Sequence, residues 1–366
     1  MILGASARSA AYSAIRIGLQ PTCADLFADL DLGSACPVHQ IEPEQYPDGI
    51  SRFADTVEPT PWLYTGAVEN RPDLVDRISA RHPLLGNPGA ILRTVRDPVA
   101  LSLAIRRAGL DSPEIRLEPN GLPTDGSWLV KPIASGGGRG IRPWLGGAFS
   151  RGRVYFQERM QGVPLAALYV GEGGHSRFLG LTRQFVGRPG NLFAYRGSLG
   201  PWTVGPEAES RIEDLGRVVA STFGLVGLFG IDLNWEGNRA WAIELNPRYT
   251  ASVEVLEWAM GTSLLAEHLR AFRQRIGDVC PIRPRGYVGK LIVHADRPIL
   301  RTPSMEASIP EPDEFPELAD IPRPASMFRP GDPVLTVFAR GDTPELCRRE
   351  LGAMVRAWRR RLRPGC

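Results

Sequence analysis

The apolar positions along the chain recur with two periods, which predict an alternation of strands and helices. Short apolar runs at 1–4 and 23–27 are typical of buried strands, and a helix of small residues is predicted between them over 5–17. A third strand is predicted within 62–70, where it runs into a polar cluster. A strand, a helix and a second strand in this order are typical of a parallel sheet with helices on its faces.

Cap residues and apolar stripes predict where several helices lie. Asp97 and Thr343, each followed by a proline, are typical of the first position of a helix, and Asn70 is predicted to cap a helix over 72–79. A further helix over 207–223 carries its apolar residues on one face. We therefore expect it to pack against a sheet.

Two later strands, at 227–234 and 239–246, are predicted to form a hairpin. A turn centred on Gly237 would place Asp232 opposite Ala242, and strand alternation would put the carboxylates of the two strands on one face. Carboxylates among apolar flanks need a cation or hydrogen-bond donors, and oxygen ligands suit Mg²⁺ or Mn²⁺. Solvated charges on an exposed face are the alternative. The candidate metal ligands are Asp232, Glu244 and Asn246.

A glycine-rich loop follows the short apolar run at 128–130. The run ends in Lys131, and Lys131 and Lys290 are the two lysines of a chain that otherwise uses arginine. Glycines let backbone amides approach an anion without interference from Cβ atoms, and a lysine adds a compact positive charge. A phosphate-binding loop is therefore predicted, with a flexible surface turn as the alternative. The candidate phosphate-binding residues are Lys131, Ser135, Gly136, Gly137, Gly138 and Gly140.

Composition excludes several classes of partner. The chain has 366 residues, an ordinary apolar content of 43% and a formal net charge of +3. This charge is too small to favour nucleic acid or an anionic membrane. The five cysteines show no CxxC spacing, and Arg8 and Arg16 interrupt the apolar N-terminus. We expect a cytoplasmic globular protein without a nucleic-acid or membrane partner.

The order of these motifs resembles that of the ATP-grasp superfamily. A lysine ends a strand, a glycine loop follows, and a strand over 152–162 runs into Gln157 and Glu158. The acidic hairpin then ends in Asn246-Pro247-Arg248. The resemblance implies that two α+β lobes close over ATP, that Gln157 and Glu158 read the adenine edge, and that Mg²⁺ bridges the carboxylates and the phosphates.

Three further residue roles are implied by the same resemblance. Arg248 would stabilise charge on the transferred phosphoryl group or on a tetrahedral intermediate. Many relatives carry a phosphate-binding lysine near Arg96, so Arg96 is a candidate ATP contact, with pairing to Asp97 or solvent as the alternative. An acidic residue that binds the ribose is common just after the hinge, but here the chain reads Val163, Pro164 and Leu165.

The resemblance also implies the fold class and the domain boundaries. The expected fold is α/β and α+β, an ATP-grasp fold between two flanking units. An N-terminal Rossmann-like domain (a pre-ATP-grasp domain) is expected over 1–87 and the ATP-grasp domain over 88–280. Its small lobe would cover about 88–160 and its large lobe about 161–280. A small β-rich C-terminal lobe with a terminal helix would then occupy 281–366.

The activity that this resemblance implies is that of a carboxylate-amine ligase. ATP would phosphorylate a small-molecule carboxylate, and an amine would displace phosphate from the acyl phosphate. The N-terminal opening and the segment 64–70 further resemble members linked to C1-carrier coenzyme (methanofuran or tetrahydromethanopterin) pathways, such as tyramine-glutamate ligases. A carboxylase that phosphorylates bicarbonate and a non-catalytic ATP-binding scaffold are the alternatives. A homodimer is one candidate assembly.

Two groups of side chains are weaker candidates for contacts with the substrates. Each could equally serve packing, capping or the solvated surface. They are Tyr64, Thr65 and Glu69 after the third strand, and Arg183, Gln184 and Arg196 within 171–196.

Overall fold

A computed structural model describes residues 1–276, 286–300 and 308–362. The boundary expected between the ATP-grasp domain and the C-terminal lobe, at 280/281, lies outside the described residues. In the part of the chain that is described, no helix is both long and apolar enough to cross a membrane.

The N-terminal unit is a four-stranded parallel sheet in the order β3-β2-β1-β4. Its helices cover the sheet, as the strand-helix-strand pattern predicts. The predicted cap of α4 is wrong, because Arg71 occupies the cap position and no side chain caps the helix. The elements are β1 (Ile2–Leu3), α1 (Arg8–Arg16), β2 (Cys23–Asp25), α2 (Leu30–Ala35), β3 (Val38–Gln40), α3 (Asp48–Asp55), β4 (Leu63–Tyr64) and α4 (Pro72–Ser79).

The small lobe combines two helices with a second four-stranded sheet, in the order β5-β8-β6-β7. Asp97 caps α6 as predicted, since its Oδ1 accepts hydrogen bonds from the amides of Val99 at 2.9 Å and Ala100 at 3.2 Å. The elements are α5 (Gly89–Val95), α6 (Pro98–Arg107), β5 (Ile115–Arg116), β6 (Trp128–Pro132), β7 (Arg142–Pro143) and β8 (Val154–Glu158).

The large lobe is built on an eight-stranded antiparallel sheet in the order β13-β12-β9-β10-β11-β14-β18-β16. Three strands expected in the C-terminal lobe, β14, β18 and β16, continue this sheet, and β15 and β17 form a separate two-stranded sheet. The elements are β9 (Val163–Glu172), β10 (His175–Arg188), β11 (Asn191–Trp202), α7 (Pro206–Phe223), β12 (Gly227–Glu236), β13 (Arg239–Asn246), α8 (Ala251–Met260), α9 (Leu264–Ala271), β14 (Tyr287–His294), β15 (Ile299–Leu300), β16 (Leu318–Ala319), β17 (Met327–Phe328), β18 (Pro333–Gly341) and α10 (Pro344–Arg361).

The apolar stripes of the long helices face the large sheet, as predicted. Ile212 and Val219 of α7 are buried in a core that contains Leu165 and Leu181 of the sheet. The stripe of α10 packs over the strands at the other end of the sheet, in a separate core. Burial of a large apolar side chain contributes about 1.5–3 kcal/mol each, so these faces hold the lobe together.

A buried ion network joins the N-terminal unit to the large lobe. Glu254 of α8 is 1% exposed, and its two oxygens accept from Arg8 of α1 at 2.6 and 3.0 Å. Lys290 of β14 donates to the same carboxylate at 2.9 Å. Burial would raise the pKa of Glu254, but the charges of Arg8 and Lys290 outweigh it and hold this pKa far below its ordinary value. Arg8 also pairs with Asp320 at 2.8 Å and Asp31 at 3.6 Å, so the network extends beyond these three charges.

Replacing Glu254 with alanine should lower the free energy of unfolding by about 3–5 kcal/mol, because buried Lys290 loses its carboxylate partner and Arg8 is left with Asp320 and Asp31. Urea denaturation at pH 7 measures this loss. Asp214→Ala is the control, since its pair with Arg217 is largely exposed and should contribute less than about 1 kcal/mol. Equal losses in the two variants would contradict the proposed role of the buried network.

Candidate active site

A cavity of about 420 Å³ lies between the small lobe and the large sheet. Three segments that are distant in sequence line it: the glycine loop after β6, the end of β8, and the hairpin of β12 and β13. The chemistry of the cavity is also typical of a binding site, because a few polar groups converge in a mostly apolar cleft. The predicted residues that line it are Lys131, Gly136, Gly137, Gly138, Gln157, Glu158, Asp232, Glu244, Asn246 and Arg248.

Three predicted residues do not line this cavity. Arg96 and Ser135 line a smaller adjoining cavity of about 30 Å³, which shares Lys131 and Glu244 with the larger one. Gly140 lines neither cavity and instead lies against the ring of Pro132. The structure therefore brings most of the predicted site together and leaves these three at its edge.

The acidic hairpin has a different register from the predicted one. The turn consists of Gly237 and Asn238, and Leu233 pairs with Ala242. A bulge at Ile243 then shifts the register, so that Asp232 lies opposite Glu244 and not opposite Ala242. Without this extra residue Asp232 would face Ile243, and Glu244 would point to the other side of the sheet. The bulge thus brings the two carboxylates to one face.

Amide groups and positive charges stabilise this carboxylate pair. Asp232 accepts hydrogen bonds from Gln184 at 2.8 Å and from Asn246 at 3.2 Å. Burial, followed by repulsion from Glu244, raises the pKa of Asp232 to about 6. Burial would also raise the pKa of Glu244, but the charges of Lys131 and Arg96 outweigh it and lower this pKa. Glu244 is thus the more readily ionised carboxylate of the pair.

The oxygen ligands of the hairpin suit Mg²⁺ that is bound together with a nucleotide. They suit less well a metal ion that is held by protein side chains alone. Within 1–276, 286–300 and 308–362, no group of three or more His, Cys, Asp or Glu side chains could hold a metal ion. Asp232 and Glu244 supply two carboxylates, and Mg²⁺ commonly binds one or two carboxylates together with substrate phosphates. Asn246 turns its nitrogen to Asp232 and its oxygen to Arg248, at 3.1 Å. Its oxygen would therefore be shared between Arg248 and a metal.

Lys131 lies on the cavity face of the small-lobe sheet. It pairs with Tyr155 across the strands, and its Nζ donates to Gln157 Oε1 at 3.1 Å. Lys131 is only 3% exposed. Burial alone would lower the pKa of Lys131, but Tyr155 and Glu244 outweigh it and raise this pKa. The side chain is therefore a fixed positive charge at the cavity wall.

Gln157 and Glu158 point in different directions, as successive residues of a strand do. The side-chain nitrogen of Gln157 donates to the carbonyl of Ile243 at 3.2 Å, beside the hairpin. The carboxylate of Glu158 accepts a hydrogen bond at 3.3 Å from the backbone amide of Glu114, which directly precedes β5. The predicted contact of these two residues with adenine stays a prediction.

Arg96 connects the acidic hairpin with the base of the glycine loop. Its guanidinium donates to Glu244 Oε1 at 3.0 Å and to the carbonyls of Ile133 and Ser135 at 3.0 and 3.4 Å. The alternative of pairing with Asp97 is not seen, since Asp97 caps α6. In this geometry Arg96 neutralises Glu244 and fixes the loop, and its reach to a phosphate stays a prediction.

The glycine loop packs against the hairpin of β10 and β11. The amide of Tyr195 donates to the carbonyl of Gly137 at 3.1 Å. A Cβ atom at Gly138, which has φ +76°, would lie 1.8 Å from the carbonyl oxygen of Phe193. Only glycine allows this close approach. Gly136 has open space around its Cβ position, so its role is not one of packing.

Arg248 lies between the hairpin and the N-terminal unit. Besides Asn246 it contacts Glu69, whose Oε1 accepts from its Nε at 2.8 Å, and it donates to the carbonyl of Tyr249 at 3.1 Å. Of the weaker N-terminal candidates, Glu69 alone contacts a predicted catalytic residue. Tyr64 and Thr65 bond to backbone carbonyls and serve packing.

The other weak candidates have roles that sequence reasoning did not identify. Gln184 lines the cavity and donates to Asp232, so it supports a carboxylate of the hairpin, and its contact with an anionic substrate stays a prediction. Arg183 stacks over Trp202, and Arg196 donates to the carbonyl of Gly187 at 3.3 Å. Sequence reasoning also missed Tyr155, whose pairing with Lys131 could be inferred only from the register of β6 and β8.

Comparison with protein-family models identifies an ATP-grasp domain at residues 95–252. An uncharacterized protein of Methanocaldococcus jannaschii is 26% identical over 187 residues, which are 51% of this chain and 42% of that protein. The match thus spans less than half the length of the archaeal relative.

Solved structures share the fold over nearly the whole chain. N5-carboxyaminoimidazole ribonucleotide synthetase from Thermus thermophilus aligns with a TM-score of 0.67 and 18% identity, over 97% of both chains. The biotin carboxylase domain of Hydrogenobacter thermophilus 2-oxoglutarate carboxylase, a dimer with MgADP, ADP and bicarbonate, aligns with a TM-score of 0.72 and 14% identity, over 96% and 88%. Phosphoribosylamine–glycine ligase from Thermotoga maritima aligns with a TM-score of 0.66 and 16% identity, over 97% and 95%. The predicted ATP-grasp fold is therefore confirmed.

Gly138→Ala should release the glycine loop from the hairpin, because the added methyl group collides with the carbonyl of Phe193. Hydrogen exchange of the Tyr195 amide, read by mass spectrometry of peptides or by NMR, should then accelerate at least about tenfold, as expected when a local hydrogen bond opens. Gly136→Ala is the matched control and should leave this exchange unchanged. Equal exchange in both variants would exclude the proposed docking of the loop.

Asp232→Asn should stabilise the metal-free protein above pH 6. The pKa of Asp232 is raised from 3.8 to about 6 in the folded protein. Between pH 3.8 and about pH 6, folded Asp232 therefore keeps a proton that the unfolded chain has lost. The stability of the unsubstituted protein should therefore fall across this window by about 1–3 kcal/mol relative to the variant.

Urea denaturation in EDTA from pH 4 to pH 8 measures this difference. In Asp232→Asn, Gln184 can turn its amide to accept a hydrogen bond from the substituted side chain, and Asn246 can still donate to its oxygen. Glu58→Gln, at an exposed site, should follow the unsubstituted protein at every pH. A difference that is constant with pH would contradict the assigned titration of Asp232.

Proposed function

We propose that the protein is an ATP- and Mg²⁺-dependent ligase that joins a carboxylate to an amine through an acyl phosphate. One observation carries this proposal: a lysine-bearing glycine loop and a pair of carboxylates next to Arg248 line the same cavity. A triphosphate needs positive charge and amide donors, and its metal needs carboxylates. This arrangement supplies both within one cleft.

The residues of the cavity act by positioning and by charge. Lys131 and the amides of the glycine loop hold the phosphates of ATP, and Asp232 and Glu244 hold Mg²⁺. When bound, Mg²⁺ neutralises phosphate charge and orients the phosphoryl group. Arg248 lies at the end of the hairpin, where it stabilises the negative charge of the phosphorylated acid. Arg96 keeps Glu244 ionised and fixed.

The lining of the cavity supports a reaction without a protein nucleophile. Among the described residues that line either cavity there is no histidine and no cysteine. Covalent catalysis by the common pair of a nucleophile and a histidine base is therefore disfavoured. Phosphoryl transfer from ATP to a carboxylate and aminolysis of the product need only correct placement and charge compensation.

The comparisons support the reaction class and leave the substrates open. A phosphoribosylamine–glycine ligase shares the fold, and its name describes the joining of an amine to glycine. A role in methanofuran-type coenzyme synthesis rests on the resemblance of the N-terminal opening and the segment 64–70, and the comparisons do not support it. We therefore propose glutamate and tyramine as the first pair to test, and a homodimer stays a prediction.

Carboxylation is the second candidate, favoured by the similarity to a biotin carboxylase domain whose structure contains bicarbonate. In that reaction bicarbonate replaces the organic acid as the phosphoryl acceptor. A non-catalytic scaffold is disfavoured, because the lysine, both hairpin carboxylates and Arg248 all line the cavity.

A phosphate-release screen of carboxylates crossed with amines, with ATP and Mg²⁺, should identify an acid that requires an amine for full turnover. Lys131→Ala and Glu244→Gln should each lower this turnover at least about 100-fold, since each removes a charge that compensates the reacting groups. Mass spectrometry of the amide product and a coupled assay for ADP measure the outcome.

Glu172→Gln is the matched control for Glu244→Gln, because Glu172 is exposed at the end of β9. It should retain full turnover. Phosphate release that depends on bicarbonate alone would favour the carboxylase. ATP binding without phosphate release for any pair would contradict an enzymatic role, and a fully active Glu244→Gln enzyme would contradict the metal assignment.

A further inference from the structure

Cys23 and Cys36 bring their thiol groups into contact in the core of the N-terminal unit. Cys23 begins β2, and Cys36 directly follows α2. Their two Sγ atoms lie 3.7 Å apart. The third free cysteine among the described residues, Cys347, instead donates to the carbonyl of Ala339 at 3.4 Å. The contact between two thiols is therefore particular to Cys23 and Cys36 in this part of the chain.

The backbone holds the two thiols at this distance. The amide of Cys23 donates to the carbonyl of Pro37 at 2.9 Å, and Cys23 pairs with Val38 of β3. The amide of Cys36 donates to the carbonyl of Leu32 at 3.1 Å, in the last turn of α2. A disulfide bond measures about 2.05 Å, so the two sulfur atoms need to approach by less than about 2 Å to form one. Rotation of the two side chains supplies a movement of this size.

The two thiols differ in reactivity. Cys23 is 0% exposed, whereas Cys36 is 9% exposed and is followed by Pro37 at the surface. The hydrogen bond between the thiols, followed by burial, raises the pKa of Cys23. The same hydrogen bond lowers the pKa of Cys36, since the thiol of Cys23 donates to the Cys36 sulfur. Because the thiolate is the nucleophile in disulfide exchange, Cys36 is the residue that reacts first with an oxidant.

The chain between the two cysteines carries a contact between the N-terminal unit and the large lobe. Asp31 of α2 accepts hydrogen bonds from the amides of Asp320 and Ile321, at 2.9 and 3.0 Å. The amide of Leu30 donates to the carbonyl of Ile321 at 2.8 Å. The helix α2 has six residues and no side-chain cap, so its own stability is low. A covalent bond at its C-terminal end would therefore hold both the helix and this contact in place.

We propose that Cys23 and Cys36 form a reversible redox pair, whose disulfide fixes α2 to the N-terminal sheet and to the segment after β16. The oxidant is a low-molecular-weight disulfide. In a reducing compartment such a protein disulfide is transient and serves redox sensing, which a buried pair with one thiol near the surface allows. The proposal goes beyond the ligase function and does not depend on it, because neither cysteine lines the two cavities described above.

The oxidation proceeds by two thiol–disulfide exchanges. The Cys36 thiolate attacks one sulfur of the low-molecular-weight disulfide, a mixed disulfide forms, and the first small thiolate leaves. Cys23 then loses its proton and attacks the Cys36 sulfur, so that the protein disulfide forms and the second small thiolate leaves. The two cysteines together lose two electrons and two protons. The oxidant gains both and is reduced to two small thiols.

Peptide mapping of the native full chain after treatment with glutathione disulfide tests the pair directly. After alkylation of the remaining thiols, the tryptic peptide 17–52 should hold both cysteines without an alkyl group on either. Endoproteinase Asp-N cleaves before the aspartates that lie between them, and the two cysteine fragments should then stay linked until a reductant separates them. A pair that stays reduced, a mixed disulfide that persists at Cys36, or a bond from Cys23 to another cysteine would overturn the proposal.

The rate of oxidation shows whether the folded pair reacts. Cys347 is 0% exposed, so it forms a mixed disulfide with glutathione only when the chain around it opens, and it serves as an internal control. The bond between Cys23 and Cys36 should form at least about tenfold faster than this mixed disulfide. Equal rates would mean that all three cysteines react through unfolding, which would overturn the proposal.

Single substitutions separate the roles of the two thiols. In Cys23→Ala, Cys36 should accumulate a stable mixed disulfide with glutathione, because no second thiol displaces it. In Cys36→Ser, Cys23 should stay reduced, because its thiol is buried. Modification of Cys23 in Cys36→Ser as fast as in the unsubstituted chain would overturn the assigned order. If either variant unfolds, the peptide map and the rates of the unsubstituted chain still decide the proposal.

Hydrogen exchange measures the fixation of α2. In the oxidised full chain, the amide of Ile321 should exchange at least about threefold more slowly than in the reduced chain, because its acceptor Asp31 lies on the fixed helix. Glutathione disulfide should leave this exchange unchanged in Cys36→Ser, which controls for effects of the oxidant elsewhere. Equal exchange in the oxidised and reduced chains would overturn the proposal that the disulfide holds this contact.

Discussion

The candidate site depends on the compensation of two carboxylates that a single bulge places side by side. Ile243 is the extra residue of β13, and it turns Glu244 to the face that Asp232 occupies. Two negative charges on directly paired residues destabilise the folded state unless cations or hydrogen-bond donors offset them. Lys131 and Arg96 compensate Glu244, and the amides of Gln184 and Asn246 support Asp232. The remaining negative charge of the pair is what a metal ion would neutralise.

Buried charges also determine how the separate sheets form one molecule. Arg8 of the N-terminal unit binds Glu254 of the large lobe, and Glu69 of the same unit binds Arg248. Apolar contacts hold these units together without fixing their relative position, whereas a buried ion pair tolerates little displacement because its desolvated charges would lose their partners. The N-terminal unit is therefore held at a defined distance from the hairpin, where Glu69 binds Arg248, a residue that lines the cavity.

Sequence reasoning identified the elements and most of the site, because local patterns carry that information. The glycine loop after Lys131 and the hairpin with its carboxylates follow from spacing and residue type. The register of the hairpin could not be predicted in this way, because the bulge at Ile243 does not change the alternation of apolar and polar residues in β13. The partner of Arg96 could not be predicted either, because it lies on a strand distant in sequence. Asn70 was predicted to cap α4, but a tertiary contact with Ser135 outweighs that local preference.

Arg96 stands at the edge of the site, where the family resemblance leads one to expect a lysine, and its chemistry has a consequence for the whole cavity. A lysine is a flexible point charge that can turn from a carboxylate to a phosphate, but the planar guanidinium of Arg96 is fixed by three acceptors at once. Arg96 therefore acts as a permanent partner of Glu244 and of the glycine loop. Of the small-lobe cations, Lys131 and Arg159 line the larger cavity, and Lys131 also lines the smaller one. In the proposed function, Arg96 therefore positions the loop, and Lys131 contributes to the binding of the phosphates.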